Sequence, residues 1–273
     1  MKREITNIIK YLIVFGVLVV LPASIIVICE LLRDRQQGGS MTSDDIWETP
    51  FMTTGIMLGF VLVIACFLWR RWASLKLGRI KQSDIWMVIL MSVVLFIGWF
   101  LPENFLMGII DIPSGLSDDE FDNMTGGVIG TFDTIVTGPI AEELLCRGAI
   151  LAALLKMMPR KPFFCILIQA FIFGAIHMDP NQLVFSTIYG IMLGWLCWRT
   201  KSLIPGIVVH VANNANACLL PDSVDEAIKG MGNIPQAAAL IASLLVLACG
   251  LYWFHRKYPA REEQELNTAD LQT

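Results

Sequence analysis

Eight apolar stretches, separated by short polar segments, run along the chain. A transmembrane helix needs about 20 predominantly apolar residues, and most of the stretches approach or exceed that length. They lie near residues 11–31, 51–69, 85–102, 128–155, 162–178, 182–198, 203–219 and 235–254. The fifth to seventh stretches are closely spaced, so their limits can shift by several residues. The pattern predicts an all-α fold, a polytopic membrane helix bundle with about eight transmembrane helices.

Composition supports a membrane protein. Hydrophobic residues make up 55% of the chain and charged residues 16%, whereas soluble domains carry about 25% charge. These values exclude a disordered chain, a nucleic-acid-binding protein and an ordinary soluble enzyme. The seven cysteines lie in or beside apolar stretches without a CxxC pair, so we interpret them as small buried apolar residues. The first apolar stretch exceeds the 7–15 residues of a signal-peptide core and is interpreted as a membrane anchor.

Basic residues are distributed unevenly between the two sides of the predicted bundle. With the amino terminus inside, the outer segments contain only Arg33, Arg35 and Lys229, and the loop 103–127 is acidic without any base. The inner segments contain Lys2, Arg3, Lys10, Arg70, Arg71, Lys76, Arg79, Lys81, Lys156, Arg160, Lys161, Arg199, Lys201, Arg256, Lys257 and Arg261. Because Lys and Arg concentrate in cytoplasmic loops, both termini are predicted to be cytoplasmic.

Four regions follow from these patterns. Residues 1–127 form amino-terminal membrane helices with an acidic outer loop, and residues 128–219 contain the fourth to seventh spans. Residues 220–258 form the last outer loop and the final helix, and the polar tail 259–273 is predicted to be disordered and cytoplasmic. Gly190 and Gly194 form a GxxxG pair, which indicates close packing against a neighbouring helix.

Ionisable side chains inside the spans are the best indicators of function, because each costs several kcal/mol unless it is paired or hydrated. Glu143 and Arg147 are four residues apart and can pair on one helix face. Glu142 points about 100° away and is left as a second carboxylate, suited to act as a general base. Pro139 lies three residues earlier, where it frees a backbone carbonyl and can kink the helix. The alternative for the two glutamates is a position at the aqueous edge of the helix.

Two further polar positions follow on later spans. His177 ends the fifth span one turn after Phe173, and His210 shares a helix face with Asn214. Each alone has an ordinary explanation, an interfacial histidine or hydrogen bonding between helices. At 1.5 Å per residue, Glu142 and His177 lie about 21 and 24 Å from the predicted inner face. A shared site near or beyond the membrane midplane, between the fourth, fifth and seventh spans, is therefore feasible.

These motifs, in this order, resemble the CPBP (Abi) family of intramembrane endopeptidases, which includes type II CAAX prenyl proteases and lysostaphin-resistance-like proteins. The family signature is EExxxR, FxxxH and HxxxN. It is matched here by Glu142, Glu143 and Arg147, by Phe173 and His177, and by His210 and Asn214. The resemblance covers about 128–219. Cys146 is a departure, since the family usually has an aromatic residue there.

The resemblance implies a membrane-embedded protease with Glu142, Glu143, Arg147, His177, His210 and Asn214 in its site. Its substrate would be a membrane-associated or lipidated protein or peptide, processed as a CAAX protein or in connection with bacteriocins and immunity to them. The expected location is a bacterial cell membrane, with the lipid bilayer as a partner and no nucleic acid. The family also suggests a cavity that opens to the inner side.

The resemblance implies water activation by Glu142 with His177, an oxyanion bound by His210 and Asn214, and Arg147 holding Glu143. A metalloprotease version would place zinc on Glu142, His177 and His210, since two histidines, a glutamate and water form a known catalytic zinc set. The sequence leaves the two versions open. An ion- or proton-coupled transporter and a catalytically silent immunity or scaffold protein are the alternatives from other functional classes.

Overall fold

The computed structural model describes residues 1–41, 50–110, 112–115, 123, 125–219, 230 and 232–260. The regular elements in these ranges are helical. The bundle consists of α1 (Lys2–Gln36), α2 (Pro50–Trp69), α3 (Ile85–Ile109), α4 (127–157), α5 (Pro162–Ala175), α6 (Pro180–Thr200), α7 (Ile204–Leu219) and α8 (Asn233–Lys257). A short 3-10 turn, Gln82–Asp84, leads into α3.

The predicted all-α polytopic bundle is confirmed, with eight long helices in the described part of the chain. Four of them are long and apolar enough to cross a membrane: Lys2–Gln36, Phe51–Trp69, Gln82–Ile109 and Asn233–Lys257. Helix α5 is apolar but has only 14 residues, and α4 is divided by π-helical segments. Helix α3 continues to Ile109, so Glu103 lies within a helix and not in the loop assigned from the sequence. Most of the tail 259–273 lies outside the described residues.

Helix α1 shows the surface expected next to lipid. Only Tyr11 and Ala23 are buried along its 35 residues, while large apolar side chains are exposed on several sides. Among them are Ile9, Ile13, Val17, Val20, Leu21, Ile25 and Ile28. In water such a surface would be costly, but lipid tails are as apolar as these side chains. The exposed apolar surface of α1 is therefore a feature of a membrane protein.

Helix α4 occupies the centre of the bundle and contacts α1, α2, α5, α6 and α7. Around it the helices pack most closely as the pairs α1–α2, α5–α6 and α3–α8. Glycines allow these close approaches. A Cβ at Gly194 would lie 2.6 Å from Nε2 of Gln169 on α5, which supports the packing role predicted for the GxxxG pair.

The two ends of the bundle are held by different polar contacts. At the end that contains the loop 70–81, Arg79 donates hydrogen bonds to the carbonyl oxygens of Arg199 (3.1 Å) and Pro259 (2.7 Å). At the opposite end, Asp179 caps α6 by accepting a hydrogen bond from the Gln182 amide (2.7 Å). The same carboxylate accepts a hydrogen bond from the Gly115 amide. Asp179 therefore joins the α3–α4 connector to the start of α6.

Replacement of Gly59 by alanine tests the packing of α2 against α1. A Cβ at Gly59 would lie 2.7 Å from the carbonyl oxygen of Leu18, so the two backbones must separate. We expect a loss of roughly 1–3 kcal/mol in stability, typical of overpacking. The measurement is thermal unfolding in detergent. The control is Gly16→Ala on α1, where a Cβ would meet nothing within 4 Å. Equal melting temperatures for the two variants would contradict the packing described here.

The pH dependence of stability tests the Asp179 cap. Burial raises the pKa of Asp179, but hydrogen bonds from the Gln182 and Gly115 amides offset this, and its pKa lies below its usual value. The cap contributes fully above the pKa of the unfolded state, about 3.9, and its contribution is lost as the pH falls through the lower folded pKa. We expect wild-type stability to fall below about pH 4 more steeply than that of Asp179→Asn. Parallel acid-unfolding curves would show that the carboxylate contributes nothing.

Candidate active site

The centre of α4 departs from regular α-helical geometry. Its segments are Gly127–Phe132 (α), Asp133–Thr137 (π), Gly138–Glu143 (α), Leu144–Ile150 (π) and Leu151–Met157 (α). Pro139 lacks an amide hydrogen, and the first π segment ends directly before the turn that contains it. π-helical segments occur frequently at functional sites. Glu142 and Glu143 lie on the short α-helical turn between the two wide segments.

Glu143 and Arg147 form a buried ion pair. Arg147 Nη1 donates to Glu143 Oε1 over 2.7 Å, and neither side chain is exposed. The Arg147 guanidinium also lies over the Phe173 ring, 4.1 Å from its centroid. The other oxygen of Glu143, Oε2, faces Gly206, where a Cβ would approach it to 2.9 Å. The absence of a side chain at Gly206 therefore lets α7 pack against the ion pair.

His210 lies between the two glutamates of α4. Its Nδ1 is 3.2 Å from Glu143 Oε1, and its Nε2 is 3.7 Å from Glu142 Oε2. An ionised Glu143 can only accept hydrogen bonds, so Nδ1 carries a proton and the Nε2 edge faces Glu142. Glu143 is fully buried, whereas the Glu142 side chain is 16% exposed. Glu143 therefore orients the imidazole, and Glu142 is the carboxylate that is open to the cavity.

The Phe173 ring lies between the two imidazoles. Its centroid is 5.2 Å from that of His177 and 5.5 Å from that of His210, both with edge-on geometry. His177 lies in the turn directly after α5, and its Nδ1 is 2.8 Å from the Phe173 carbonyl oxygen. Because a carbonyl oxygen only accepts hydrogen bonds, Nδ1 carries the proton. In the neutral ring, Nε2 of His177 is then left as a hydrogen-bond acceptor.

The site residues line one cavity of about 720 Å³. Glu142, His177, His210 and Asn214 all contribute to its wall. Asn214 Nδ2 donates to the Thr134 carbonyl oxygen over 2.9 Å, and this bond ties α7 to the first π segment of α4. Since an amide nitrogen has two hydrogens, Asn214 retains one further donor. Neither Glu143 nor Arg147 lines this cavity, and both support its wall from the protein interior.

Several polar residues of the site were not identified from the sequence. Tyr189 is buried, its ring centroid is 5.9 Å from that of His210, and its hydroxyl has no hydrogen-bond partner in the described part of the chain. Gln169 Nε2 donates to the Gly190 carbonyl oxygen over 2.9 Å, next to Arg147 Nη2 at 3.4 Å from the same oxygen. The sequence alone could have pointed to Gln169, because a polar residue in the middle of an apolar membrane helix often marks a functional site.

The cavity wall also contains two acids, Glu103 and Asp133, that were not identified as site residues from the sequence. Glu103 lines the cavity because α3 is longer than the apolar stretch that predicted it. Asp133 lines it too, and its carboxylate accepts a hydrogen bond from the Thr137 hydroxyl one turn later. No local sequence pattern linked either acid to Glu142, because the link depends on helix packing.

The proposed zinc ligands are not arranged as a metal site. Zinc needs imidazole nitrogens and carboxylate oxygens at about 2.0–2.2 Å from one point. Among the described residues, no group of three or more His, Cys, Asp and Glu side chains is placed to hold a metal ion. Glu142, His177 and His210 have suitable donor atoms, but the three side chains would have to move to bind one ion.

Comparison with known proteins matches the region that contains the site. The family model "Type II CAAX prenyl endopeptidase Rce1-like" matches residues 124–216. A Bacillus subtilis (strain 168) protein named "Putative membrane peptidase YdiL" is 35% identical over 79 residues, which are 29% of this chain and 32% of that relative. The alignment thus spans about a third of the curated relative. No solved structure matches the chain.

The matched region contains α4 to α7 almost completely, and with them the EExxxR, FxxxH and HxxxN motifs. Its bounds agree closely with 128–219, the part of the sequence that carries the resemblance to the CPBP family. Residues 124–216 are therefore similar to the Rce1-like family of type II CAAX prenyl endopeptidases.

Proposed function

We propose that the protein is an intramembrane endopeptidase that hydrolyses a peptide bond of a membrane-associated protein or peptide. One observation carries the proposal: a partly exposed glutamate and two imidazoles line a single cavity beside a buried ion pair. The similarity of residues 124–216 to a peptidase family supports it. The apolar surface of the bundle places the protein in a membrane, where a membrane-associated substrate can reach it.

In the proposed reaction, a water molecule is held between Glu142 and His177. His177 Nε2 accepts a hydrogen bond from the water, because its Nδ1 proton is committed to the Phe173 carbonyl oxygen. Glu142 accepts a proton as the water oxygen attacks the carbonyl carbon of the scissile bond. When the tetrahedral intermediate collapses, Glu142 returns this proton to the nitrogen of the leaving amine.

The negative charge that develops on the carbonyl oxygen needs hydrogen-bond donors. Asn214 supplies the amide hydrogen that is not used on Thr134, and His210 donates from Nε2 when both ring nitrogens are protonated. A preorganised donor of this kind contributes some kcal/mol to catalysis. Glu143 and Arg147 act as positioning residues, because they fix the ring plane of His210 without contacting the substrate.

Glutamine substitutions at the two glutamates should have different effects. We expect Glu142→Gln to reduce the rate of product formation by roughly 10²–10⁴-fold while leaving thermal stability unchanged, because it removes a base from a wet cavity. We expect Glu143→Gln to lose about 3–5 kcal/mol of stability, because it leaves Arg147 as an unpaired buried charge. The measurements are thermal unfolding in detergent and mass spectrometry of the termini of host membrane peptides.

Glu30→Gln is the matched control, since it makes the same substitution on α1 outside the cavity. It should match wild type in both measurements. If deletion of the gene altered the peptide termini while Glu142→Gln and His177→Ala left them as in wild type, the protease assignment would be wrong. Rescue of a deletion phenotype by Glu142→Ala would instead support a scaffold role. Solute uptake into proteoliposomes driven by a proton gradient would support a transporter.

Chelation tests the metal-free chemistry. Because the three candidate ligands are not grouped around one point, we expect purified enzyme to keep its activity after treatment with a zinc chelator. Elemental analysis of the treated, active sample should find less than one metal ion per chain. Loss of activity that zinc alone restores would contradict this expectation and assign Glu142, His177 and His210 as ligands.

A further inference from the structure

The catalytic cavity lies at one end of the bundle. Its wall includes Gly115 and Thr125 from the α3–α4 connection, and Met178 and Asp179 from the α5–α6 connection. Most helical residues in its wall come from the parts of α2 to α7 that lie towards this same end, and Glu142 and His210 lie near the middles of α4 and α7. Met178 is 91% exposed and forms part of the rim. The cavity therefore opens towards the side of the α3–α4 and α5–α6 connections.

Towards the other end, the bundle is closed directly behind Glu142. Leu144, Leu145 and Cys146 are fully buried, and the Glu143–Arg147 pair fills the space beside them. A separate cavity of about 680 Å³ lies beyond, at the opposite end, and Arg147 contributes to its wall. In the described part of the chain, the ion pair thus separates the catalytic cavity from that end.

The distribution of basic residues tells the two ends apart. The connections at the closed end contain Arg70, Arg71, Lys76, Arg79 and Lys81 between α2 and α3, and Arg160 and Lys161 between α4 and α5. At the open end, the last turn of α1 contains Arg33 and Arg35, and the sequence segment 220–232 contains Lys229. The sequence segments 37–49, 110–126 and 176–179 contain no Lys or Arg. Lys and Arg bias in short loops sets membrane orientation, so the closed end is cytoplasmic.

Two expectations drawn from the sequence therefore exclude each other. Cytoplasmic termini follow from the charges of this chain, whereas an inner opening followed only from the family. Because α4 enters the membrane at its cavity end and leaves it at the basic end, an inner opening would place the basic connections outside. The charge pattern is the stronger argument, since it is a property of these residues.

We propose that the catalytic cavity opens on the extracytoplasmic face of the membrane, and that its substrates are extracytoplasmic segments of membrane-anchored or secreted chains. This inference rests on the proposed function for its substrate class. A protein whose processed end stays in the cytoplasm cannot reach this cavity, since the Glu143–Arg147 pair and the buried side chains around it close the cytoplasmic side.

The charges of the cavity narrow the substrate class further. Glu103, Asp133, Glu142 and Asp179 line it, and the described lining contains no Lys or Arg. Apart from the His210 imidazole, a carboxy-terminal carboxylate would find no cationic side chain in the described lining and would lie among carboxyl groups, which is unfavourable at low dielectric constant. The cavity therefore accepts an internal segment of a chain, neutral or basic, in preference to a free carboxyl terminus.

Cysteine labelling tests the orientation. Met178→Cys places a thiol at the rim, and Lys76→Cys places one at the basic end. We expect a membrane-impermeant maleimide to label Met178→Cys in intact cells, and Lys76→Cys only after permeabilisation. The parent chain, with its own seven cysteines, gives the baseline. If Met178→Cys fails to react even in detergent, Ser114→Cys in the α3–α4 connection replaces it. The reversed labelling pattern would overturn the proposal.

The cleaved peptides test the substrate class separately. Termini that wild type produces and Glu142→Gln does not should map to extracytoplasmic segments, at internal bonds with few acidic neighbours. Termini that map to cytoplasmic carboxyl ends would overturn the inference but leave the protease assignment intact. Unchanged termini together with the expected labelling would remove the protease assignment and leave the orientation standing.

Discussion

Arg147 and Glu143 lie side by side in the middle of a membrane bundle, with both side chains fully buried. A charge in that environment is costly unless it is paired, so each of the two residues requires the other. The pair also determines its surroundings: Phe173 covers the guanidinium, Gly206 leaves room for the carboxylate, and His210 is oriented by it. Residues of all three sequence motifs thus meet at one ion pair, although the motifs lie on three separate helices.

Much of the fold could be predicted because lipid imposes a simple rule on sequence. A helix in a membrane must satisfy its own backbone and expose apolar side chains, so eight apolar stretches predicted eight helices. The rule is weaker at helix ends, where polar side chains face a cavity. There α3 extends to Ile109, and Glu103 belongs to the cavity instead of the outer loop. Hydropathy could not detect this, because it does not distinguish water outside the membrane from water inside a cavity.

The site could be predicted only where its residues are neighbours on one helix. The spacing of Glu143 and Arg147 predicted their pairing, and the structure contains that pair. The contact of His210 with both glutamates depends on how α7 approaches α4, which Gly206 permits. Tyr189 and Gln169 join the site through helix packing, and no spacing within their own helix links them to it. The two glutamates also differ in exposure, which their sequence positions did not reveal: the Glu142 carboxylate faces the cavity and the Glu143 carboxylate is enclosed.

The ion pair also divides the bundle into two electrostatic compartments. On one side of it lie the carboxylates of the catalytic cavity, and on the other lies a cavity bordered by Arg71, Lys76 and Lys201. The basic side is the part that the membrane potential and the anionic cytoplasmic leaflet favour on the inside. In the proposed orientation, the same distribution of charge also decides which face of the membrane the cavity opens to. A relative with the same three motifs and the opposite loop charges would present the same chemistry to the other compartment, so motif identity alone does not specify where a substrate is cleaved.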